Sequence, residues 1–154
     1  MRLLLLAAFF VLPTLVVRAN NSTLKKTNVM EQYKDDSLAI IKTLNDYFKG
    51  IYEGDTVLLG STFQPGILLF GDIKGQPYYK TLAEYLDGVK NRQSPRDSGK
   101  PFKGEIQSVE IINSIAVAKV RVKMYQFDYQ ELLSFHKIDN RWLIVNKMIT
   151  DVSE

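Results

Sequence analysis

The spacing of apolar residues divides the chain into a helical first half and an extended second half. Between Glu31 and Tyr52, Leu38, Ile41, Leu44, Phe48, Ile51 and Tyr52 form a helical stripe, with Tyr47 beside it. That period predicts an amphipathic helix. Asp36-Ser37 is a candidate cap for a shorter version of it, and Gly54-Asp55 marks a turn beyond it. Thr56 to Thr62 predicts a short second helix. Phe63-Gln64-Pro65-Gly66 turns into a strand, Ile67 to Ile73, and Gly75-Gln76-Pro77 closes another turn. Thr81 to Arg92 predicts a third helix with Leu82, Tyr85, Leu86 and Val89 on its inner side. It opens on a capping box, in which Thr81 and Glu84 satisfy each other's backbone N–H. Residues 93–101, QSPRDSGKP, are rich in turn formers and are expected to be a mobile loop.

The pattern then switches to alternation. Lys103–Ile112 and Ile115–Tyr125 are strands joined through Asn113-Ser114. On the second, Ala116, Ala118, Val120, Val122 and Met124 alternate with a solvated basic row, Lys119, Arg121 and Lys123. This is the mark of an antiparallel sheet with one face buried. The last stretch, Asp128 to Ile149, reads as two long strands around Asp139-Asn140, residue types that tolerate positive φ. Pairing Ile138 with Arg141 sets Lys137 against Trp142, Phe135 against Ile144, Leu133 against Asn146 and Glu131 against Met148. In that register Tyr129, Glu131, Leu133, Phe135, Trp142, Ile144, Asn146 and Met148 face the core. Gln130, Leu132, Ser134, His136, Leu143, Val145 and Lys147 face away. Glu131 and Asn146 are polar groups on an apolar face. Each needs a partner, which is the other, a helix end or a ligand.

Helices first and antiparallel strands after define an α+β fold. A curved antiparallel sheet wrapped around about three N-terminal helices makes a cone, and its open mouth is a natural small-molecule site.

Composition changes the picture at the N-terminus. Residues 1–19 read as a signal peptide: Arg2, then an apolar run from Leu3 to Val17 broken by Pro13 and Thr14, then Val17-Arg18-Ala19 as a cleavage site. The run is short for a spanning helix of ~20 residues, and an uncleaved anchor is the runner-up. The expected product is exported, periplasmic or secreted. It has a flexible segment over residues 20–34, one domain over 35–152, and no stable membrane span. Beyond Ala19 the chain carries 18 basic and 17 acidic residues, with no clustered basic face to suggest nucleic acid. It has no cysteine, so stability comes from packing. A single histidine, His136, argues against a transition-metal cluster. There is no glycine-rich nucleotide cradle and no hydrolase elbow, and no cofactor is expected.

The element order resembles the NTF2-like cone fold of nuclear transport factor 2 and ketosteroid isomerase. The residues that narrow it are Tyr47-Phe48-x-Gly50, Asp55, Phe63-x-Pro65 and Asp128-Tyr129, followed by Leu133, Lys137-Ile138-Asp139, Trp142 and Ile144-Val145-Asn146-Lys147. Over roughly residues 35–150 they are similar to the bacterial family called Putative lumazine-binding. One departure is the turn Phe63-Gln64-Pro65-Gly66, where the family often has Phe-His-Pro-Asp. The resemblance implies a homodimer through the outer sheet face, where His136 points. The reading adopted is a cone that binds a small aromatic or apolar ligand without catalysis, lined by Tyr47, Phe63, Phe70, Tyr85, Glu131, Trp142 and Asn146. Two alternatives stand beside it. One is a ketosteroid-isomerase-like lyase or isomerase, with Glu131 as base and Tyr47 or Tyr85 as donor. The other is an interaction module whose cone is filled by its own side chains.

Overall fold

The computed structural model describes residues 21–153, with side-chain environments from Val29 onward. The proposed signal peptide lies outside the described residues. Helix α1 runs Asn21–Glu53 and α2 runs Thr56–Ser61. Strands β1, Leu68–Ile73, and β2, Gln76–Thr81, form a hairpin, followed by α3, Leu82–Lys90, and α4, Pro95–Ser98. Strands β3, Phe102–Ile112, β4, Ile115–Met124, β5, Phe127–Ile138, and β6, Arg141–Asp151, complete the chain. The six strands form one sheet in the order β2-β1-β6-β5-β4-β3. All neighbours are antiparallel except β1 and β6, so the sheet is mixed.

Helix α1 begins at Asn21, ten residues before the start that the periodicity predicts. Its buried face is also offset by about one residue. Ile40, Leu44, Tyr47, Phe48 and Ile51 are buried, whereas Leu38 and Tyr52 are exposed. Asp36 is not a cap but a buried residue within the helix. It accepts hydrogen bonds from Trp142 Nε1 at 2.9 Å and from Lys137 Nζ at 2.6 Å. Burial opposes its charge, but those two donors outweigh burial and hold the carboxyl below its ordinary value.

The capping box forms as the sequence dictates: Glu84 N–H donates to Thr81 Oγ1, and Thr81 N–H donates to Glu84 Oε2 at 2.8 Å. The polar stretch 93–101 contains helix α4 rather than a loop alone. Ser94 caps it, Pro95 opens it, and Gly99 closes it at a φ of 64°. The same turn-forming residues that suggest a loop also suit the two ends of a short helix. Strand β2 was not expected. Pro77 is admissible in it because β2 is an edge strand.

The closing hairpin turns at Asp139 and Asn140, with φ of 48° and 58°. Ile138 faces Arg141, Lys137 faces Trp142 and Phe135 faces Ile144, as the turn requires. The register then shifts, so that Ser134 faces Asn146 and Leu133 faces Lys147. Val145 is the extra residue of a β-bulge, which reverses the facing of everything after it. The bulge falls where β6 changes neighbours. Before it, Ile144 bridges to Phe63, donating its N–H to Thr62 O at 2.9 Å. After it, Lys147–Thr150 pair with β1. That pairing is close: a Cβ on Gly71 would lie 1.7 Å from the Ile149 carbonyl oxygen.

Candidate functional site

Because of the bulge, Lys147 and Ile149 face the cone and Asn146 and Met148 face outward. The Lys147 side chain is 2% exposed and that of Glu131 is 1% exposed. Their Cα atoms sit on adjacent strands in diagonal positions, and Lys147 Nζ lies 2.7 Å from Glu131 Oε1. Tyr47, on the buried face of α1, closes the cluster. Its hydroxyl donates to Glu131 Oε2 at 2.7 Å and accepts from Lys147 Nζ at 2.6 Å. The ammonium also lies 5.0 Å from the centre of the Tyr85 ring and 5.2 Å from that of Tyr47. Burial works against the Lys147 charge, yet the Glu131 carboxylate overcomes it and raises its pKa. Burial first, then the Glu131 charge, drives the Tyr47 phenol well above its ordinary range. Near neutral pH Lys147 is therefore an ammonium and Tyr47 a neutral phenol, both held against Glu131.

Glu131 and Lys147 form part of the wall of a cavity of about 180 Å³. Tyr78, Tyr85 and Tyr129 contribute phenol rings, and Ile51, Val89, Val122, Met124 and Ile149 contribute apolar surface. Lys80 and Arg92 also line it. Burial, then the neighbouring Asp151 charge, pushes the Tyr129 phenol up to about 12. Burial likewise raises Tyr78. These hydroxyls keep their protons near neutral pH and are available as hydrogen-bond donors.

The seven residues expected to line the cone do not converge on one place. Tyr85 and Glu131 line the cavity, and the Tyr47 hydroxyl reaches it through Glu131 and Lys147. Phe63 is core, packed edge-on against Tyr47 at 5.9 Å and Tyr85 at 6.2 Å. Trp142 is buried at the hairpin end, bonded to Asp36 and away from the cavity lining. Phe70 and Asn146 are corrections. Phe70 is 36% exposed and packs on Tyr79. Asn146 donates to Leu68 O at 3.4 Å. Unbroken alternation predicts Asn146 inside and Lys147 outside, and the bulge at Val145 exchanges them. Tyr78 lies on β2, which the turn-like Gly75-Gln76-Pro77 conceals in the sequence, and alternation marks Tyr129 only as a core position.

The outer sheet face carries a row of exposed apolar residues in register across four strands: Tyr79, Phe70, Met148 and Leu132. His136 is exposed on β5, opposite Leu143 and Ile115. Among the described residues, no helix is long and apolar enough to cross a membrane.

A mixed sheet curved around N-terminal helices, with a buried polar cluster in a largely apolar and aromatic cone, fits an NTF2-like protein. The solved structures agree. An NTF2-like protein of unknown function from Shewanella baltica superposes with a TM-score of 0.70 at 20% identity, over 79% of this chain and 98% of that one. Another from Methylobacillus flagellatus gives 0.69 at 21% identity, over 77% and 94%. More particularly, residues 35–150 match the family described as Putative lumazine-binding, and the chain belongs to it. Among curated proteins, it is 26% identical over 112 residues to aldolase FrzH of Cladobotryum sp., covering 71% of this chain and 86% of that one.

Proposed function

We propose that this chain is a small-molecule binding protein whose ligand occupies the cone above the Tyr47–Glu131–Lys147 cluster. The observation that carries this reading is the cavity itself, mostly apolar and aromatic, with Glu131, Lys147, Lys80 and Arg92 among its lining. At about 180 Å³ it is smaller than the ~300–1,000 Å³ common for drug-sized ligands, which suits one or two fused rings. The family description supports a compact heteroaromatic such as lumazine. The test is a titration of lumazine followed by carbon-13 methyl NMR. Saturable shifts at Met124, Val89 and Val122, with Ile112 and Ile115 on the outer face unmoved, are the expected result. Shifts confined to the outer face, or none at all, would overturn it.

The relative named as an aldolase supports a second reading, in which the cluster moves a proton on a carbonyl ligand. Glu131 is the base in that reading, and Tyr47 the donor that steadies the developing oxyanion. The resting geometry weighs against it, since both carboxylate oxygens of Glu131 are already engaged. Deuterium uptake into a bound carbonyl probe, lost in Glu131→Gln, would raise this reading above simple binding.

A further inference from the structure

We infer that the cone selects a ligand bearing a carboxylate, and that Arg92 is the residue that holds it. This rests on the binding reading above and adds to it: lumazine, which has no carboxylate, probes only the fit of a planar ring, and the preferred ligand carries a carboxylate besides.

The cavity wall has three cations, Lys80, Arg92 and Lys147, against one carboxylate, Glu131. Lys147 and Glu131 neutralise each other at 2.7 Å. Lys80 sits over the Tyr78 ring, 5.9 Å from its centre. Arg92 is different. Its Nε and Nη2 atoms are buried and have no acceptor among the described residues. A guanidinium does not lose its proton, so these N–H groups remain donors at every working pH. Buried donors left without an acceptor are costly, and native proteins rarely tolerate them.

The two nitrogens are also a matched pair. Nε and Nη2 form one edge of the guanidinium, a fork whose two N–H bonds run side by side. The chain shows elsewhere what that fork takes. Arg121 holds Asp128 through the same two nitrogens, Nε to Oδ1 at 2.7 Å and Nη2 to Oδ2 at 2.7 Å. Arg92 offers the same fork with no carboxylate in it.

One neighbour of the guanidinium is an aromatic ring. The guanidinium carbon lies 6.0 Å from the centre of the Tyr125 ring. Tyr125 is tied in turn by its hydroxyl, which donates to Gln93 O. Attraction of the cation to the ring face takes up none of the Arg92 N–H bonds as hydrogen bonds. The nearby acid of β6, Asp151, is occupied with the N–H groups of Asp128 and Ser153 and with Ser153 Oγ. A planar aromatic carboxylate thus meets phenol rings along its body, and its anionic end reaches the Arg92 fork, whose nitrogens are shielded in the free protein, as the side chains over them give way.

The experiment compares 2-naphthoate with 2-naphthamide, probes of one shape that differ in charge, using the Met124 and Val89 methyl signals. Naphthoate is expected to bind about tenfold or more tightly than naphthamide, the scale of a hydrogen-bonded charge. Arg92→Met removes that preference, and Arg92→Lys, which keeps the charge without the fork, restores only part of it. Arg92→Met is also expected to melt no lower than the parent, since it deletes an unpaired buried cation. Equal binding of the two probes overturns the inference while leaving the binding reading intact. So does a preference that survives in Arg92→Met. If neither probe moves the cone methyls and lumazine also fails, the binding reading falls and this inference falls with it.

Discussion

Lys147 keeps its charge in the interior because Glu131 and Tyr47 are there with it. Taking an ammonium and a carboxylate out of water costs several kcal/mol each, and only tight pairing with remaining hydrogen bonds offsets it. Removal of one partner strands the other. Lys147→Met or Glu131→Gln alone is therefore expected to destabilise the fold by about 3–5 kcal/mol. The double substitution is expected to recover most of that loss, because the amide still accepts the Tyr47 hydroxyl and no lone charge remains. Urea unfolding of the four proteins gives the cycle, and single losses that simply add would refute the coupling. Asp36 follows the same logic at the other end of the cone, where two donors on β5 and β6 keep it ionised. Neither Asp36 nor Lys147 was identifiable as interior from its type. A charged residue in a helix or strand reads as exposed until its partner, far along the chain, is known.

At the scale of elements, the turn at Asp139 and Asn140 fixes the hairpin with both residues at positive φ. Glycine at the second position suits that turn better than asparagine. Asp139→Asn with Asn140→Gly is expected to stabilise the protein by about 0.5–1 kcal/mol, as turn and surface optimisation commonly does. A higher urea midpoint with an unchanged slope is the readout. The turn is also why so much of the sheet was legible in the sequence. It sets the register from Ile138 back to Phe135, and alternation along β4 gives the inner face without error. Legibility ends at Val145. An extra residue in a strand leaves no compositional trace, and the two faces of β6 are both mixed in polarity. Glu131 was read correctly because β5 reaches it without shifting faces. Asn146 was read wrongly because β6 does not.

At the scale of the whole molecule, the sheet has two faces with different surroundings. Its concave side is closed over by α1, α2 and α3. Its convex side leaves Tyr79, Phe70, Met148 and Leu132 exposed as one row across four strands. Contiguous apolar surfaces are where proteins commonly associate. A twofold pairing of identical faces is the commonest way for one chain to cover it. The chain is expected to sediment as a dimer at high micromolar concentration, and Met148→Glu to shift it to monomer with its thermal midpoint little changed. A parent protein that sediments as a monomer across that range would refute the assignment.

The bulge at Val145 has one more consequence. Residues 146–149 hold two alternative lists of inward-pointing groups, interleaved like the letters of two words. With the bulge the cone reads lysine and isoleucine; without it, the cone would read asparagine and methionine. Straightening the strand with its sequence unchanged would set Asn146 and Met148 beside Glu131, whereas deleting Val145 would leave Asn146 opposite Ser134 and Lys147 opposite Leu133, with Lys147 still inside. Relatives that share this fold and strand length but pair this strand without the bulge are thus the ones whose ligands should diverge most.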